Sequence, residues 1–302
     1  MSTPVAAPSK TKNVDKSNEN SVAEFGVPLY QLNNGSSNES LVAFMMRSIR
    51  EMTNIKFAFV SFVVNNLRRR YRRSVLGFAW SLLNPLLTMC VMTAVFSVLF
   101  HQSPKSFGVY VFTGLLPWTF FCEAVCSGSG SIAGAEGFLK KVYIPKLFFP
   151  LVTVSTEAAN FGFSIIALVI LAAFAGFQFK WTCILALPVV ALLFAFTFFS
   201  ALFCAITTVY FRDFAHLLRV GLGALFYTVP IIYPVDFVPE QYRWFYAYHP
   251  FARFVELFRL TLFEGKIPAA EVWITPIFVT VVAFILAFYI LKKTERDIIF
   301  RL

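Results

Sequence analysis

Long stretches without charged side chains recur along the chain and dominate its hydrophobic pattern. A helix needs about 20 apolar residues to cross the roughly 30 Å hydrocarbon core of a bilayer. Six stretches meet or approach this length, so the pattern predicts six membrane-spanning helices. We place them at residues 76–100, 107–132, 147–177, 181–211, 214–233 and 272–291. The fifth is the weakest, because His216 and Arg219 lie near its start.

A different periodicity precedes the first predicted span. In residues 41–75, apolar side chains recur every three or four positions between charged ones, which is typical of an amphipathic helix. Its most apolar part, residues 57–64, is too short to cross a bilayer. The helix ends in a cluster of arginines, namely Arg68, Arg69, Arg70, Arg72 and Arg73. We expect it to lie in the cytosolic interface, with its basic end among lipid headgroups.

The remaining segments are more polar. Residues 1–40 are rich in Ser, Asn and Lys, which predicts a disordered cytosolic tail and is unlike a signal peptide. Residues 234–268 mix aromatic residues with charges and prolines, and their amphipathic run is too short to cross the bilayer. We therefore predict re-entrant extracytoplasmic helices between the fifth and sixth spans. Residues 292–302 are predicted to be a cytosolic C-terminal tail.

The composition excludes a soluble globular protein. Hydrophobic residues make up 58% of the 302 residues and charged residues only 14%, whereas soluble domains have about 25% charged residues. Together with the helical periodicity, this predicts an all-α integral membrane protein, with residues 76–291 as its transmembrane domain.

The net charge of +10 suits either nucleic acid or an anionic membrane surface as a partner. The Lys and Arg residues lie at the edges of apolar runs and no nucleic-acid-binding motif accompanies them, which favours the membrane. Most of these residues fall on one side of the six predicted spans, and that side is expected to be cytosolic. An even number of spans then places both termini in the cytosol.

Motifs for catalysis, nucleotide binding and metal binding are missing from the sequence. The single Gly-Lys pair, Gly265-Lys266, is followed by Ile267 and does not form a phosphate-binding loop. The three histidines are scattered, and the five cysteines lie in apolar runs, as small buried side chains do. We therefore expect no catalytic residue, no metal site and no cofactor in this chain, and a separate subunit would have to bind any ATP and Mg²⁺.

Two acidic residues, Glu123 and Glu157, lie inside predicted spans. Carboxylates in a bilayer are costly enough to suggest a function, such as proton transfer or substrate contact. A hydrogen bond between helices, or a position close to the membrane surface, would explain them equally well. The sequence leaves both interpretations open.

The predicted cytosolic loop of residues 135–146 has an unusual composition. Lys140, Lys141 and Lys146 surround the apolar residues Val142, Tyr143 and Ile144. A loop that needs only positive charge does not need this apolar centre. A short helix presenting the three apolar residues to the groove of a partner protein would explain both features.

Aromatic residues are more frequent than a lipid-facing belt requires. The rings of Trp80, Trp118, Phe121, Tyr227, Tyr233 and Trp244 are examples. Such rings either form belts at the membrane interface or stack on sugar rings along a conduit. From composition alone, the belt accounts for most of them.

Several short segments, in this order along residues 45–296, resemble ABC-2-type polysaccharide export permeases, which include O-antigen, capsule and teichoic acid exporters. They are LRRRYRRSVLG at residues 67–77, WSLLNPL at 80–86, GLLPW at 114–118, KKVYIP at 140–145, YFRD at 210–213 and PIIYP at 230–234. The chain has Asn65-Asn66 where the family often has an Arg-Asp pair, so these two positions lack the charges for an ion pair.

The resemblance implies a homodimer in a bacterial cytoplasmic (inner) membrane, bound to a separately encoded cytosolic ABC ATPase. Its cargo would be a lipid-linked polysaccharide of the O-antigen type, carried on undecaprenyl diphosphate, as in lipopolysaccharide or capsule biosynthesis. The residues that fit the ATPase would be Lys140, Lys141, Val142, Tyr143, Ile144 and Pro145. Helix 41–75 would lie beside the substrate gate, and residues 234–268 would close the exit.

A cargo carried on a lipid diphosphate suggests candidate residues for substrate contact. Arginine binds phosphate oxygens in bidentate fashion, so we hypothesise that Arg69, Arg70, Arg72 and Arg73 receive the diphosphate, although simple headgroup binding would also explain them. Candidates for the channel lining are Trp80, Asn84, Trp118, Phe121, Glu123, Tyr227, Tyr233 and Trp244. Two alternatives remain: an ABC-2 exporter of a small molecule or drug, and a membrane-embedded enzyme that acts on lipid-linked sugars.

Overall fold

The computed structural model describes residues 39–72, 76–101, 103–174, 176, 180–295 and 297–302. The predicted disordered tail lies outside these residues except for its last two positions, and Arg73 also lies outside them.

The described residues are almost entirely helical, which confirms the predicted fold class. The α-helices are α1 (Leu41–Asn54), α2 (Lys56–Tyr71), α3 (Trp80–Leu99), α4 (Pro104–Ser129), α5 (Ser131–Gly134), α6 (Glu136–Leu139), α7 (Phe148–Phe174), α8 (Ala186–Tyr210), α9 (Phe214–Leu225), α10 (Glu240–Tyr248), α11 (Pro250–Phe258), α12 (Ala270–Thr294) and α13 (Ile298–Arg301). Short 3₁₀ turns cover Gly77–Ala79, Trp181–Leu185, Phe226–Thr228 and Val235–Phe237, and a π-helical turn covers Arg259–Phe263.

Among the described residues, five helices are long and apolar enough to cross a membrane, and they coincide with five of the six predicted spans. The helix predicted over residues 214–233 is shorter than expected. It covers Phe214–Thr228 including its 3₁₀ turn, which is about 22 Å at a rise of 1.5 Å per residue and less than the hydrocarbon core. The helix ends there because Pro230 has no amide hydrogen to donate to a helical hydrogen bond.

This shorter segment nevertheless connects opposite ends of the helical domain. At one end, the Arg301 guanidinium lies 4.6 Å from the ring centroid of Tyr210, and we call this the basal end. At the other, the Tyr110 hydroxyl in the second turn of α4 donates to the Tyr233 carbonyl at 3.3 Å, and we call this the distal end. The chain from Tyr210 to Tyr233 therefore runs from the basal end to the distal end, in the direction predicted for the fifth span.

The predicted amphipathic helix consists of two helices that are separated at Ile55. The backbone of Ile55 has φ −106° and ψ 20°, which breaks the helical hydrogen-bond pattern. Its second half also contacts the rest of the domain, because α2 packs beside α7. The rings of Phe62 and Phe148 are 5.3 Å apart, and the basic end of α2 reaches Glu157 in the third turn of α7.

The loop that contains residues 142–144 does not form the predicted helix there. Helix α6 ends at Leu139, and residues 143–145 have no regular secondary structure. The expectation of a helix at Val142, Tyr143 and Ile144 was therefore wrong. The physical reason is Pro145, which disfavours the helical conformation of the residue before it.

Helices α10 and α11 form a hairpin beside α4. The ring of Phe251, at the start of α11, lies 4.9 Å from Trp118, which is about 21 Å along α4 from its distal start. The ring of Phe263, after α11, lies 5.7 Å from Tyr110 near that start. Helix α11 thus runs from the middle of α4 back to the distal end, with Phe254 and Phe258 fully buried.

Candidate functional site

The arginines of α2 separate into two groups because they lie on different faces of the helix. Residues 65, 68, 69 and 72 follow the i, i+3, i+4, i+7 spacing of a single face. They line a 700 Å³ groove together with Asn66, Phe62, Gly77 and Phe138. We call this the arginine groove. It contains Arg69 and Arg72 of the four predicted diphosphate ligands, and also Arg68, which the prediction left out.

Arg70 points away from this groove and binds an acidic residue of α7. Its Nη1 lies 2.8 Å from Oε1 and 2.7 Å from Oε2 of Glu157. The Asn160 amide nitrogen also donates to Glu157 Oε2, at 3.0 Å. Of the interpretations left open for Glu157, the structure therefore shows a bond between helices. The Glu157 side chain is only 11% exposed, and its cost of burial is offset by this pairing.

A polar cavity of 260 Å³ lies next to this ion pair, between α3, α4 and α7. It brings Trp80, Asn84 and Glu123 of the predicted channel lining close to Arg70 and Glu157. Its polar lining residues are Arg70, Asn84, Thr88, Thr119, Glu123, Glu157, Asn160 and Ser164. We use the name polar cavity for this site. Such a concentration of polar groups between three apolar helices is expensive in a membrane and indicates a function.

Glu123 also borders a second cavity, of 510 Å³, between α4 and α9. Arg219 of α9 lines this cavity together with Trp118 and Phe226. The sequence singled out Arg219 only as a weakness of the fifth span. Its position on the same cavity as Glu123 depends on how α9 packs on α4, which the linear pattern does not reveal.

The other predicted channel residues do not join the polar cavity. Trp118 and Phe121 are buried against Phe251, with ring centroids 4.9 and 4.8 Å apart, and belong to the protein core. Near the distal end, the Tyr233 hydroxyl donates to the Tyr227 carbonyl at 3.1 Å. Tyr227 and Trp244 are exposed.

Arg259 is a structural residue that the sequence analysis placed in the predicted re-entrant region, residues 234–268, without a role of its own. It is buried, and its Nη1 and Nη2 donate to the carbonyls of Pro230 and Ile231, both at 2.6 Å. Its guanidinium lies 3.7 Å from the ring centroid of Tyr110, as in a cation–π contact. A Cβ at Gly114 would lie 3.0 Å from Arg259 Nη2, so glycine leaves room for this side chain. The only sequence signal was a charge inside an otherwise apolar amphipathic run.

A second charged cluster links the loop of residues 135–146 to both ends of the described chain. The Tyr143 hydroxyl donates to Glu51 Oε2 of α1 at 3.3 Å, and Arg47 of α1 pairs with Glu295 at 3.1 Å. Lys146 is buried close enough to both carboxylates for their charges to act on it. We call these residues (Arg47, Glu51, Tyr143, Lys146 and Glu295) the basal joint.

The basal joint has perturbed acid–base properties. Burial raises the pKa of Glu51, and the nearby Arg47 counteracts this in part. Burial lowers the pKa of Lys146, and it raises the pKa of the Tyr143 hydroxyl. These shifts show that charges are partly removed from water at this contact.

The rest of the loop faces outward. Lys140 and Lys141 are exposed, Val142 is half exposed and Pro145 is buried. Lys140 pairs with Glu136 one helical turn before it, and this hydrogen bond lowers the pKa of Glu136. The loop thus presents an apolar residue in a basic surrounding.

Residues 58–263 match the family described as ABC-2 type transporter. This match covers more than half of the chain. The chain belongs to the ABC-2 type transporter family. It is therefore a membrane subunit of a transporter.

The chain is also similar to proteins named for export and transport. The chain is 31% identical over 229 residues to the O-antigen export system permease protein RfbA of Myxococcus xanthus, covering 75% of this chain and 88% of the relative. It is 27% identical over 224 residues to the protein of the same name from Klebsiella pneumoniae, covering 73% and 86%. It is 23% identical over 212 residues to the polysialic acid transport protein KpsM of Escherichia coli, covering 68% and 80%.

The ABC-2 match contains most of the site. It extends from α2 to the π-helical turn and includes the arginine groove, the polar cavity and Arg259. Arg47, Glu51 and Glu295 lie outside it. The basal joint therefore connects the matched region to segments of the chain beyond that region.

Proposed function

We propose that this chain is the permease subunit of an ABC transporter that exports a polysaccharide across the bacterial cytoplasmic membrane. The observation that carries the proposal is the 31% identity to an O-antigen export permease over 88% of that protein. The arginine groove and the polar cavity support it, because a glycan carried on a lipid diphosphate needs both cationic and hydroxyl-binding groups.

The energy would come from a separate ABC ATPase, which binds ATP and Mg²⁺. Its docking site is the exposed part of the loop around Val142, flanked by Lys140 and Lys141. The basal joint would transmit movements of the ATPase to α2, because Tyr143 contacts α1 and α1 is followed directly by α2. Helix α2 would lie beside the substrate gate. The chain itself performs no catalytic step in this proposal.

The basal end would face the cytosol. It carries exposed Lys140 and Lys141 in the loop and Lys292 and Lys293 at the end of α12, and basic residues are retained on the cytosolic side. Both termini of the transmembrane domain would then be cytosolic. The α10–α11 hairpin would be re-entrant from the outer side. The resemblance to polysaccharide exporters supports a homodimer as the working unit.

The lipid diphosphate would bind in the arginine groove. Arg68, Arg69 and Arg72 offer guanidinium groups whose geometry matches phosphate oxygens. Arg70 is less available for this role than the sequence suggested, because its charge is matched by Glu157.

The test is export in a cell that lacks the endogenous permease. The chain is expressed with an ABC ATPase subunit from the same bacterium, and surface polysaccharide is measured by immunoblot. We expect surface glycan with the active ATPase, and glycan retained in the cytosol when its Walker lysine is replaced.

Two outcomes would overturn the proposal. Activity of the purified chain on lipid-linked sugars without any ATPase would favour a membrane-embedded enzyme. Efflux of a small molecule with unchanged surface glycan would favour a drug-type exporter.

A further inference from the structure

The arginine groove meets the loop of residues 135–146 at a single side chain, that of Phe138. Among the described residues that line the groove, Phe138 is the only one from this loop, and the others belong to α2, to Arg72 directly after it, or to Gly77. The Phe138 ring stands edge-on to the ring of Phe62 of α2, with centroids 5.8 Å apart. The groove assigned to the cargo and the loop assigned to the ATPase therefore share this residue.

The backbone connects Phe138 to the exposed part of the loop. Its carbonyl accepts hydrogen bonds from the amides of Lys141, at 3.0 Å, and of Val142, at 2.9 Å. These two bonds close the turn that follows α6 and hold the three residues together. A displacement of Phe138 is therefore passed to Val142, the apolar residue of the proposed docking site.

The Phe138 ring is not enclosed by the protein core. It is 53% exposed, whereas the next residue, Leu139, is buried and anchors α6. An exposed aromatic ring gains free energy when an apolar group covers it. Phe138 therefore offers an apolar contact to a molecule that occupies the groove.

The groove combines two kinds of surface. Guanidinium groups match phosphate oxygens, and the groove has three of them, on Arg68, Arg69 and Arg72. The rings of Phe62 and Phe138 match a hydrocarbon chain. A lipid diphosphate carries these two parts next to each other. Bound through its diphosphate, it places the start of its hydrocarbon chain against the rings.

The two surfaces have different effects on the loop. A ligand shifts a conformational equilibrium only if it binds one conformation better than the other. The arginines are not part of the loop, so their contacts with a diphosphate hold the ligand without favouring a loop position. The contact with Phe138 does favour one, because the hydrocarbon chain covers the ring only when the loop lies against the groove.

We propose that Phe138 is the positioning residue that transmits occupancy of the arginine groove to the ATPase docking loop. The lipid chain covers its ring, and the turn that contains Lys141 and Val142 moves with it. The ATPase thereby responds to a lipid diphosphate in the groove. This proposal rests on the proposed function, since it takes a lipid diphosphate as the carrier and an ABC ATPase as the partner.

The test uses the complete transporter, this chain with its ATPase, in proteoliposomes with excess Mg²⁺. ATP hydrolysis is titrated with a polyprenyl diphosphate, which yields a basal rate, a maximal rate and a half-maximal concentration. In the wild type we expect the lipid to raise the rate. Inorganic diphosphate has no hydrocarbon chain and should leave the rate at its basal value. Stimulation by inorganic diphosphate would overturn the role of Phe138.

Phe138→Ala should separate binding from response. Its basal rate should equal that of the wild type, and its affinity for a fluorescent polyprenyl diphosphate should change by less than about tenfold. The ratio of its maximal to its basal rate should fall to about one. Arg69→Ala/Arg72→Ala should do the reverse, with an unchanged maximal rate and a higher half-maximal concentration. Phe138→Tyr keeps the ring and should keep the response.

Phe57→Ala is the matched control, because Phe57 is an exposed phenylalanine of α2 that does not line the groove. Its response should equal that of the wild type. A response retained in Phe138→Ala, or lost in Phe138→Tyr or Phe57→Ala, would overturn the assignment. Loss of the basal rate or of lipid binding in Phe138→Ala would also overturn it, since Phe138 would then support docking or binding itself. A wild type that does not respond to the lipid would instead contradict the proposed function.

Discussion

Arg70 and Glu157 form an ion pair that joins the last turn of α2 to the third turn of α7, with Nη1 at 2.8 and 2.7 Å from the two carboxylate oxygens. The pair connects residues that are 87 positions apart in the sequence. It has two consequences: it fixes the basic end of α2 beside α7, and it separates Arg70 from the arginines of the groove.

Reversing one charge of this pair should weaken both folding and export. In Arg70→Glu, two carboxylates would face each other at a partly buried site, and in Glu157→Arg two guanidinium groups would do so. We expect each single variant to lower the Tm and the amount of surface glycan, and the double variant to restore most of both. A double variant no better than the sum of the two singles would show that the pair contributes nothing.

Removing two arginines from the groove should weaken binding of the diphosphate. Each charge-assisted hydrogen bond contributes about 1.5–3 kcal/mol, and 1.4 kcal/mol corresponds to about a tenfold change in affinity. In Arg69→Ala/Arg72→Ala, the half-maximal concentration of polyprenyl diphosphate for ATPase stimulation should therefore rise at least about tenfold. Lys56→Ala, at the opposite end of α2, should leave that concentration unchanged. An equal effect of the two variants would point to general membrane attraction.

Replacing Arg259 should destabilise the distal end. Arg259→Met leaves the carbonyls of Pro230 and Ile231 without their donor, at a cost of about 1–3 kcal/mol for each buried group. Arg243 is a useful comparison, because it also donates to two carbonyls but is more exposed. In detergent, Arg259→Met should lower the Tm clearly more than Arg243→Met. Equal shifts would mean that burial of Arg259 is unimportant.

A methyl group at Gly128 should disturb the contact between α4 and α8. A Cβ there would lie 2.8 Å from the Cβ of Ala201, closer than real Cβ atoms approach, whereas a Cβ at Gly130 would meet nothing. Small residues allow such close helix packing in membranes. Gly128→Ala should lower stability by about 1–3 kcal/mol, and Gly130→Ala should not. The comparison is made by thermal unfolding. A Tm of Gly128→Ala equal to that of the wild type would contradict the close contact.

Glu51 should make the stability of the basal joint depend on pH. Because burial raises its pKa in the folded protein, the folded state binds more protons than the unfolded state from about pH 4.5 up to that raised pKa. The Tm of the wild type should therefore fall, relative to Glu51→Gln, as the pH rises through this window. The difference should stay constant at higher pH. A difference that grows in favour of the wild type with rising pH would contradict the raised pKa.

The predictions from sequence were most accurate where the signal is local. The apolar length of each segment was enough to predict the five long spans. The amphipathic pattern of residues 41–75 predicted helical structure where α1 and α2 lie. The break at Ile55 and the missing helix at Val142–Ile144 were missed, because they depend on backbone conformation at single residues. The fifth span was overestimated, since an apolar composition continues beyond the point where the helix ends.

The sequence by itself determined that this chain is helical, that it crosses a membrane and that it carries a basic amphipathic helix, because length, periodicity and charge are properties of consecutive residues. Only the tertiary structure decided which arginine binds Glu157, that Asn84 and Glu123 meet in one cavity, and that Arg259 holds the carbonyls near Pro230. These contacts depend on how each helix is rotated and packed against its neighbours. That rotation is set by side chains far apart in the chain, so no local pattern contains it.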